Sequence, residues 1–562
     1  MKKSFLDLME KTLSAYSKEQ IISYFNNVKQ NGLKEHGFPR LTCNIGILIK
    51  NGRCKELLPH FIEMMDFCCQ NIPLVKAAND FSVREIVCCL QELEVCPLIE
   101  KEKLNKWKEN ISKINPKTCY SVYATSESDL VHNWALFTAV SEYFRLTAGL
   151  GGDMDFIELQ LASQMKRLDK NGMYIDWELN ANNQAMVYDL VPRMLFCLLL
   201  KRGYRGKYFT QIDNALKKAG LATLKMQSVS GEIPFGGRSN MFLHNEATLS
   251  CVLEYEAERY YLLGNFSLAG KFKSASNLAF NSIKYWLNKP LITHVKNNFD
   301  LNTLFGCEDY AYFDKYMITL SSFIYASSLL CNNKIKPIKD NYLSLFTTSK
   351  SFNKTFAKVG GYFVQINTNG DNCYDSSGIG RIHKKGAPPI ICLSMPFVEH
   401  PHYVTEQNYI GHSFSICPVI INSENNLEFG STLNVAYKLK EKVIKPNSIL
   451  LNYNCVFSGK IKGQLILKIS KNGVSLKAKS KTENNIGIAF AAFKFDGKNY
   501  SEIKQDNKSL SVSYQGYICN YSGNIVCLNK ELQNRNGIYL AYMSKGNKTA
   551  KLNVKIKKVK KS

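Results

Sequence analysis

The sequence predicts an α+β multidomain protein, with a large helical domain at residues 1–335 followed by an antiparallel β-sandwich at residues 336–562. Two observations predict this fold class. The chain of 562 residues is 45% hydrophobic with only 34 Gly and 15 Pro, which argues against a disordered, collagen-like or low-complexity protein. The spacing of the apolar residues changes once, at about residue 335, from a helical period to strand-like alternation.

The first part of the chain has the apolar spacing of helices. Apolar residues recur every three or four positions in segments such as 61–67 and 195–200, and polar or Gly-containing breaks such as 150–153 separate these segments. Many helices of ordinary length, without a short strict repeat, are typical of either a helical toroid or an α-solenoid.

The second part alternates between apolar and polar residues, as in 361–367 and 463–469. Short strands are punctuated by turn dipeptides at Asn369-Gly370, Asn472-Gly473, Asp496-Gly497 and Ser522-Gly523. The last segment, Lys551–Lys561, is predicted to be a strand with a charged face that protects a sheet edge from self-pairing. A basic ligand-binding tail is the alternative interpretation of this segment.

The net charge of +25, from 72 Lys and Arg against 47 Asp and Glu, favours an anionic partner. Nucleic acid and a uronic-acid polysaccharide are the two candidates. The lysines are dispersed, and no helix-turn-helix, zinc-finger or RNP-like pattern accompanies them, so we expect no nucleic-acid partner. An AT-biased genome is the alternative source of the charge.

The compartment is predicted from the cysteines and the first residues. The 18 cysteines are scattered and form no CxxC pair, which indicates reduced core thiols and no zinc site. No run of about 18 apolar residues is available to span a membrane, and acids interrupt the first ten residues where a signal peptide would be apolar. We therefore expect a cytoplasmic protein without a membrane partner.

Four polar segments of the helical domain carry the candidate chemistry: Val131–Trp134, Asn180–Arg193, Gly231–Glu246 and Phe305–Tyr316. In the third, Gly236-Gly237 predicts a tight turn before a helix, which puts Arg238 and Asn240 near a helix N-terminus that favours a carboxylate. His244 follows Asn240 by four residues, so the two are expected on one helix face. Such a group can hold an anion and move a proton; a capping turn with a core histidine is the alternative.

The fourth segment supplies tyrosines. Tyr312 and Tyr316 are four residues apart and are expected to share a helix face, while Tyr310 precedes the same helix. Because the chain contains 30 tyrosines, ordinary packing is the alternative explanation for this cluster.

Together these segments resemble the heparinase II/III-like polysaccharide lyases, which combine an (α/α) toroid, or incomplete barrel, with antiparallel β-sheets. The resemblance spans residues 120–400 and rests on these motifs: His132–Trp134, Met186–Arg193, Gly236–Asn240, His244–Glu246, Asp309–Tyr316 and Gly380–Pro389. It implies an N-terminal (α/α) toroid followed by a C-terminal antiparallel β-sandwich. It also implies β-elimination in a uronic-acid-containing glycan, which leaves a 4,5-unsaturated uronate end.

The resemblance implies roles for eleven residues. β-Elimination requires neutralisation of the uronate carboxylate, a base and an acid. The neutralising residues are expected to be Asn240, Arg238, Asn133 and Arg193. The base and the acid are expected to be His244 and Tyr310, with Tyr316 and Tyr188 as alternatives. Substrate contacts are expected from Trp134, Glu246 and His383. A tyrosine acts as the base only if a nearby positive charge lowers its pKa from about 10.

Two alternatives belong to other functional classes. A glycoside hydrolase on the same toroid would need a pair of carboxylates, taken from Glu232, Glu246, Asp189 and Asp309. A non-catalytic anionic-glycan-binding protein would explain the charge but leaves the Arg, Asn and His grouping without a use.

A cytoplasmic location favours exo-acting cleavage of imported oligosaccharides. No cofactor is expected to be required. A structural metal ion is left open. His400, His402 and His412 lie close together in the sequence and are candidate ligands for a metal or for substrate.

Overall fold

The computed structural model describes residues 2–179, 181–339, 342–506 and 508–559. Within these ranges every α-helix precedes every strand, which confirms the predicted fold class. The helices are α1 (Lys2–Leu13), α2 (Lys18–Asn31), α3 (Gly37–Lys50), α4 (Leu58–Asn71), α5 (Val83–Leu93), α6 (Lys101–Ser112), α7 (Pro116–Cys119), α8 (Trp134–Thr147), α9 (Met154–Met165), α10 (Met186–Lys201), α11 (Phe209–Met226), α12 (His244–Leu262), α13 (Phe266–Leu287) and α14 (Phe313–Leu330).

Six helices form a closed inner ring. Following the contacts around the ring, α3 packs on α5, α5 on α8, α8 on α10, α10 on α12, α12 on α14, and α14 again on α3. The other long helices pack outside it, and α1 closes the outer layer by contacting both α13 and α14. This arrangement is a toroid and not a solenoid, because the last helix contacts the first ones.

The inner helices are buried on all sides because helices cover both their faces. In α10, 14 of the 16 residues are buried, and α3 is buried from Gly37 to Ile49. Charged groups on these helices are paired within the ring, as in the buried ion pairs Arg193–Asp189 and Arg145–Glu142. Pairing is required because an isolated charge in such an interior is strongly unfavourable.

The strands follow from residue 343, so the predicted boundary at residues 335 and 336 falls between α14 and the first strand. They are β1 (Leu343–Thr347), β2 (Lys354–Val359), β3 (Tyr362–Asn367), β4 (Gly378–Lys384), β5 (Cys417–Ile421), β6 (Leu427–Phe429), β7 (Val435–Lys445), β8 (Ser448–Phe457), β9 (Lys460–Ser470), β10 (Gly473–Ser480), β11 (Asn485–Phe495), β12 (Glu502–Gln505), β13 (Ser509–Tyr514), β14 (Tyr517–Ser522), β15 (Ile525–Asn534), β16 (Gly537–Gly546) and β17 (Thr549–Lys558).

These strands form three antiparallel sheets of four, eight and five strands. Their orders are β1-β2-β3-β4, β12-β13-β14-β17-β10-β9-β8-β7 and β15-β16-β11-β5-β6. The eight-stranded sheet packs against strands of both smaller sheets, and one bridge, Ile379 to Ile416, links the region of β4 to that of β5. The result is a two-layered sandwich with one continuous core.

The last strand was predicted to protect an edge, and that prediction is wrong. β17 lies inside the eight-stranded sheet, where it pairs with β14 on one side and β10 on the other. Its side chains alternate between buried and exposed as predicted, so one charged face points outward. Lys560 and Lys561 of the predicted strand lie outside the described residues.

The toroid covers the outer face of the four-stranded sheet. For this reason β2 and β3 are buried at every position and β4 at all but its last. Phe356 and Phe363 pack there against Met173, Met186 and Met226 of the helical domain. Polar side chains on the same sheet face are therefore available to hold segments of the toroid.

All 18 cysteines are free, and 14 of them are buried. Among the helices in the described ranges, none combines the length and the apolar character needed to cross a bilayer.

Candidate active site at the junction of the two domains

The segment 231–243 between α11 and α12 is the central element of the site. Its backbone has a positive φ at Gly236, Gly237, Ser239 and Met241. A Cβ at Gly237 would lie 2.5 Å from the Cα of Ala185, so only glycine fits this turn. We call residues 231–243 the site loop.

The predicted relation between Asn240 and His244 is wrong. Helix α12 begins at His244, and Asn240 lies in the site loop between two residues with left-handed backbone, so the two do not share a helix face. Asn240 is nevertheless buried beside the site. Its Oδ1 accepts a hydrogen bond from the Met241 N–H at 2.8 Å, while its Nδ2 is buried without a partner among the described residues.

The four-stranded sheet holds the start of the site loop. The Gln365 amide of β3 donates to the Phe235 carbonyl at 2.7 Å and accepts from the Phe235 N–H at 3.1 Å. Arg381 of β4 donates to the Ile233 carbonyl at 2.6 Å. The β-sandwich thus fixes the backbone from which the following residues project.

Three hydroxyl groups form a continuous row. The Ser239 Oγ lies 2.9 Å from the Tyr188 hydroxyl and 2.9 Å from the Tyr310 hydroxyl. The guanidinium of Arg238 lies over the Tyr188 ring, 4.6 Å from its centroid. The site loop therefore joins a tyrosine at the start of α10 to one that precedes α14.

The row of aromatic contacts continues to the histidine. The rings of Tyr310 and Tyr316 are 6.4 Å apart, and the ring of Tyr316 lies 5.0 Å from that of His244. Phe242 stacks on His244 at 5.9 Å and also contacts the Tyr316 ring at 4.8 Å. The Nδ1 of His244 is buried and has no hydrogen-bond partner in the described part of the chain.

Asp176 orients the cationic end of the row. It accepts a hydrogen bond from Arg238 at 2.8 Å through one oxygen and a hydrogen bond from Asn133 through the other. Arg238 also lies 5.5 Å from the ring of Trp177, which is 58% exposed. The side chain of Arg238 itself is 37% exposed, so it remains accessible beside an open aromatic face.

Trp134 begins α8 on the same side of the site. Its ring packs on Phe81 at 4.7 Å and on His132 at 5.5 Å, and His132 in turn stacks on Trp177. These contacts connect the predicted Asn133 and Trp134 to the exposed Trp177.

The β-sandwich also anchors the middle of the site loop. Glu308 accepts a hydrogen bond from the Ser239 N–H at 2.6 Å. The same carboxylate pairs with both terminal nitrogens of Arg535, at 2.6 and 2.7 Å. Arg535 comes from the turn between β15 and β16, and the ring of Tyr403 lies 4.4 Å from its guanidinium.

Burial keeps the tyrosines protonated at neutral pH. It raises the pKa of Tyr188, Tyr310 and Tyr316 above the usual 10. Arg238 opposes this effect at Tyr188 and Tyr310 but does not reverse it. These phenols are therefore neutral hydroxyl groups at neutral pH, and burial makes them weaker acids than a free tyrosine.

Burial shifts the pKa of the histidine in the opposite direction and likewise favours its neutral form. It lowers the pKa of His244 to about 3, and the positive charges of Arg40 and Lys296 act in the same direction. The imidazole is therefore neutral at neutral pH and can accept a proton. The row of contacts therefore contains neutral phenols and a neutral imidazole.

Three predicted residues lie neither in this row nor beside it, and each of these predictions is corrected. Arg193 is buried in α10, where it pairs with Asp189 and donates to Thr223. Glu246 is buried and accepts from Lys296 at 2.7 Å. These charges are satisfied inside the protein, because burial is tolerated only with partners.

His383 is the third corrected residue. It is 1% exposed and lies between the two domains, where Nδ1 contacts Ser228 at 2.7 Å and Nε2 contacts Ser394 at 2.8 Å. It links the sheet to the segment before the site loop and does not face the row of hydroxyls.

The sequence also missed residues of the site. Three of them lie next to, or inside, the polar segments singled out in the sequence: Asp176, Trp177 and Glu308. Their position along the chain could therefore have identified them as site residues. Arg535 follows a strand far along the chain and offers no such signal, because only the tertiary structure brings its turn to Glu308.

The described residues contain no group of three or more His, Cys, Asp or Glu side chains arranged to hold a metal ion. His402 packs on Tyr374, and His412 packs on Tyr409, so these two histidines of the predicted candidate set have aromatic neighbours.

Comparisons with known proteins were made for the sequence and for the structure. No family model matches the sequence, and no curated protein sequence is significantly similar to it. The chondroitin AC lyase of Streptomyces coelicolor, solved with chondroitin sulphate, is 7% identical with a TM-score of 0.48, and the match covers 99% of this chain and 79% of that one.

Two further solved structures resemble the chain. A heparinase III gene product is 10% identical with a TM-score of 0.40, and the match covers 93% of this chain and 77% of that one. A glycosyl hydrolase family 88 protein from Bacteroides vulgatus is 10% identical with a TM-score of 0.36, and covers 58% of this chain and 99% of that one. All three are structural likenesses at sequence identities of 7–10%.

Proposed function

We propose that the protein is a glycan lyase that cleaves a uronic-acid-containing chain by β-elimination. One observation carries this proposal: an accessible arginine, a row of neutral phenols and a neutral imidazole lie in continuous contact from Arg238 to His244. These groups match the three requirements of the reaction, which are neutralisation of a carboxylate, a base and an acid.

Carboxylate neutralisation is assigned to Arg238 and Asn240. Arg238 is accessible, and Asp176 occupies only one side of its guanidinium. The buried Nδ2 of Asn240 lacks a partner among the described residues, and an unmade hydrogen bond of this kind costs about 1–3 kcal/mol. A ligand oxygen would satisfy this donor.

Proton transfer is assigned to His244 and Tyr310. In the proposed step His244 accepts the C5 proton, and the electrons of that C–H bond form the C4=C5 double bond. The C4–O bond breaks, and the leaving oxygen takes a proton from Tyr310. The bound carboxylate raises the pKa of His244, because a nearby negative charge favours the imidazolium.

Tyr188 and Tyr316 support the acid. Tyr188 is linked to Tyr310 through Ser239, so a proton lost from Tyr310 can be replaced along this row of hydroxyls. Tyr316 packs between Tyr310 and His244 and fixes their relative positions.

The substrate class follows from charge and shape. The net charge of +25 attracts anionic chains, and the exposed ring of Trp177 beside Arg238 offers an apolar face to a sugar ring. From the sequence we further propose that the enzyme is cytoplasmic and acts on the ends of imported oligosaccharides. The step as written needs no cofactor.

A glycoside hydrolase is the second candidate, and the positions of the carboxylates disfavour it. Of its four candidate acids, Glu232, Glu246 and Asp189 are fully buried and ion-paired. Asp176 and Glu308 at the site pair with Arg238 and Arg535. A hydrolase needs one carboxylic acid and one carboxylate that both reach the substrate.

The test is an assay on a panel of uronate glycans that follows the ultraviolet absorbance of the 4,5-unsaturated product and, in parallel, the reducing ends. We expect absorbance to rise with one glycan class, to be lost in His244→Ala and to persist in the matched control His60→Ala, which lies on the outer helix α4. Reducing ends without absorbance would establish a hydrolase instead.

A further inference from the structure

A basic groove lies at the outer junction of the two domains and shares no residue with the candidate active site. Helices α11 and α13, residues 337–339 and strands β1 and β2 enclose a cavity of about 390 Å³. It continues over Lys339, Tyr342 and Lys385 into a shallower depression of about 850 Å³ bounded by residues 444–446. We call the two together the junction groove.

All the charged residues among the described lining of the junction groove are lysines. Five of them are exposed and form no ion pair with any residue in the described ranges; these groove lysines are Lys225, Lys271, Lys339, Lys385 and Lys445. The described lining residues include no Asp or Glu. Asp340, the one acid in the sequence between residues 331 and 350, lies outside the described residues.

Such a set of like charges is unfavourable without a counter-charge. Some lysines elsewhere on the surface do have an acidic partner, as Lys462 has Glu428 and Lys494 has Glu531. No described carboxylate lies in the groove to relieve the repulsion among the groove lysines, and concave walls of low dielectric strengthen the positive potential. A bound polyanion would remove this repulsion.

The groove also provides contacts that a sugar chain can use. Its floor includes Leu224 and Leu278, and the Nζ of Lys385 lies 4.8 Å from the centre of the Tyr342 ring. The Ser344 hydroxyl of β1 lines the same cavity and is buried with no partner among the described residues. An apolar floor, an aromatic edge and a spare hydroxyl suit a ring that carries both CH and OH groups.

We propose that the junction groove binds a segment of an anionic polysaccharide, with the groove lysines contacting its carboxylate or sulfate groups. Such a site would hold a chain at a point separate from the candidate active site. The inference does not depend on the proposed function, because binding in the groove requires no chemistry.

The experiment measures the affinity for end-labelled heparin by fluorescence anisotropy at several salt concentrations. All proteins carry His244→Ala, so that the probe is not consumed. The groove variant adds K271Q, K339Q and K385Q. The matched control adds K468Q, K551Q and K555Q, which remove three exposed lysines from the outer face of the eight-stranded sheet.

We expect the groove variant to bind heparin about tenfold more weakly and the slope of log affinity against log salt to fall by about two to three. The control should stay within about twofold of its parent. Equal losses in both variants would show a general field effect and overturn the proposal, as would unchanged binding in the groove variant. Unchanged thermal unfolding verifies that each variant is folded.

A competition arm decides between classes of polyanion. Unlabelled heparin should displace the probe, whereas double-stranded DNA of equal charge should compete at least tenfold less well. DNA that competes equally would overturn assignment to a glycan. If wild-type protein cleaves no glycan while the groove variant loses heparin binding, the proposed lyase fails and the groove inference stands.

Discussion

At the residue scale, the environment of each side chain decides its role. His244, His294 and His383 are all buried histidines, yet they differ in their neighbours. His383 contacts serine hydroxyls on both nitrogens, and the Nε2 of His294 contacts the Ala311 carbonyl. The Nδ1 of His244, like that of His294, has no partner in the described ranges, but no hydrogen bond to a described residue ties the other nitrogen of His244 either. That difference, and not residue type, separates a linking histidine from a candidate base.

The acid is tested by Tyr310→Phe. This change removes the hydroxyl that contacts Ser239 but keeps the ring, so we expect kcat to fall by about 10²–10⁴-fold with little change in KM. The measurement is steady-state kinetics on the glycan that the panel identifies. Tyr312→Phe is the matched control, because Tyr312 is 55% exposed and lies two residues away; equal losses in the two variants would contradict the assignment.

The buried histidines also make stability depend on pH. The folded-state pKa of His294 is lowered to about 4 by burial, below the usual 6.5, so the unfolded state binds the proton first as the pH falls. Stability is therefore lost as the pH falls from about 6.5 towards 4. For this one residue the loss at pH 5 is about 2 kcal/mol relative to neutral pH.

The measurement compares urea unfolding of wild type and His294→Gln at pH 7 and pH 5. Glutamine can still donate to the Ala311 carbonyl that the His294 Nε2 contacts at 2.7 Å. We expect the stability difference between the two proteins to shift by about 2 kcal/mol in favour of the variant at the lower pH. If the stability difference between the two proteins is the same at pH 7 and pH 5, His294 is not a buried neutral imidazole.

At the element scale, the site loop is the decisive segment. Its left-handed residues turn the backbone so that Arg238 faces Tyr188 while Ser239 faces Tyr310. A regular helix over the same residues would project them at fixed 100° steps and could not make both contacts. The helix therefore begins only at His244.

Gly237→Ala tests the geometry of the site loop. The new Cβ would lie 2.5 Å from the Ala185 Cα at a φ of +71°, so we expect the free energy of unfolding to fall by about 2–4 kcal/mol and activity to be lost. Gly264→Ala is the matched control, since its φ is +74° with no atom within 4 Å of the new Cβ. Gly264→Ala should lower the free energy of unfolding by only about 1 kcal/mol. If urea unfolding shows that Gly237→Ala and Gly264→Ala lower the free energy of unfolding equally, the close approach of Gly237 to Ala185 is contradicted.

At the scale of the whole molecule, the β-sandwich completes the toroid. Arg535 reaches from the turn between β15 and β16 to Glu308, and Glu308 holds the backbone of Ser239. Gln365 and Arg381 hold the start of the same loop. The site is therefore built by two domains, although the residues assigned to chemistry all come from the toroid.

Arg535→Lys tests this positioning role. Lysine keeps the charge but cannot form the two-point contact with Glu308, so we expect kcat to fall by about tenfold with KM nearly unchanged. Arg535→Gln leaves Glu308 buried without a counter-charge and should reduce stability by about 3–5 kcal/mol. The control is Lys494→Gln, which breaks an exposed ion pair with Glu531 and should change neither kcat nor the free energy of unfolding.

A purely structural role for Arg535 would give a different pattern. In that case Arg535→Lys would lower stability while kcat per folded molecule stayed at the wild-type value. Activity measured at a temperature well below unfolding separates the two outcomes.

Sequence patterns alone predict the order of helices and strands, the position of the change between them and the polar segments that carry the site. These are local properties, because apolar spacing and turn residues act over a few positions. Arg238, Tyr188, Tyr310, Tyr316 and His244 could be singled out for the same reason. Tertiary packing decided everything that depends on distant neighbours.

Packing buried Arg193 and Glu246 with partners, placed β17 inside its sheet and brought Arg535 to Glu308. The physical reason is that burial and charge pairing are set by which surfaces meet. That information is spread over the whole chain, and no single segment contains it.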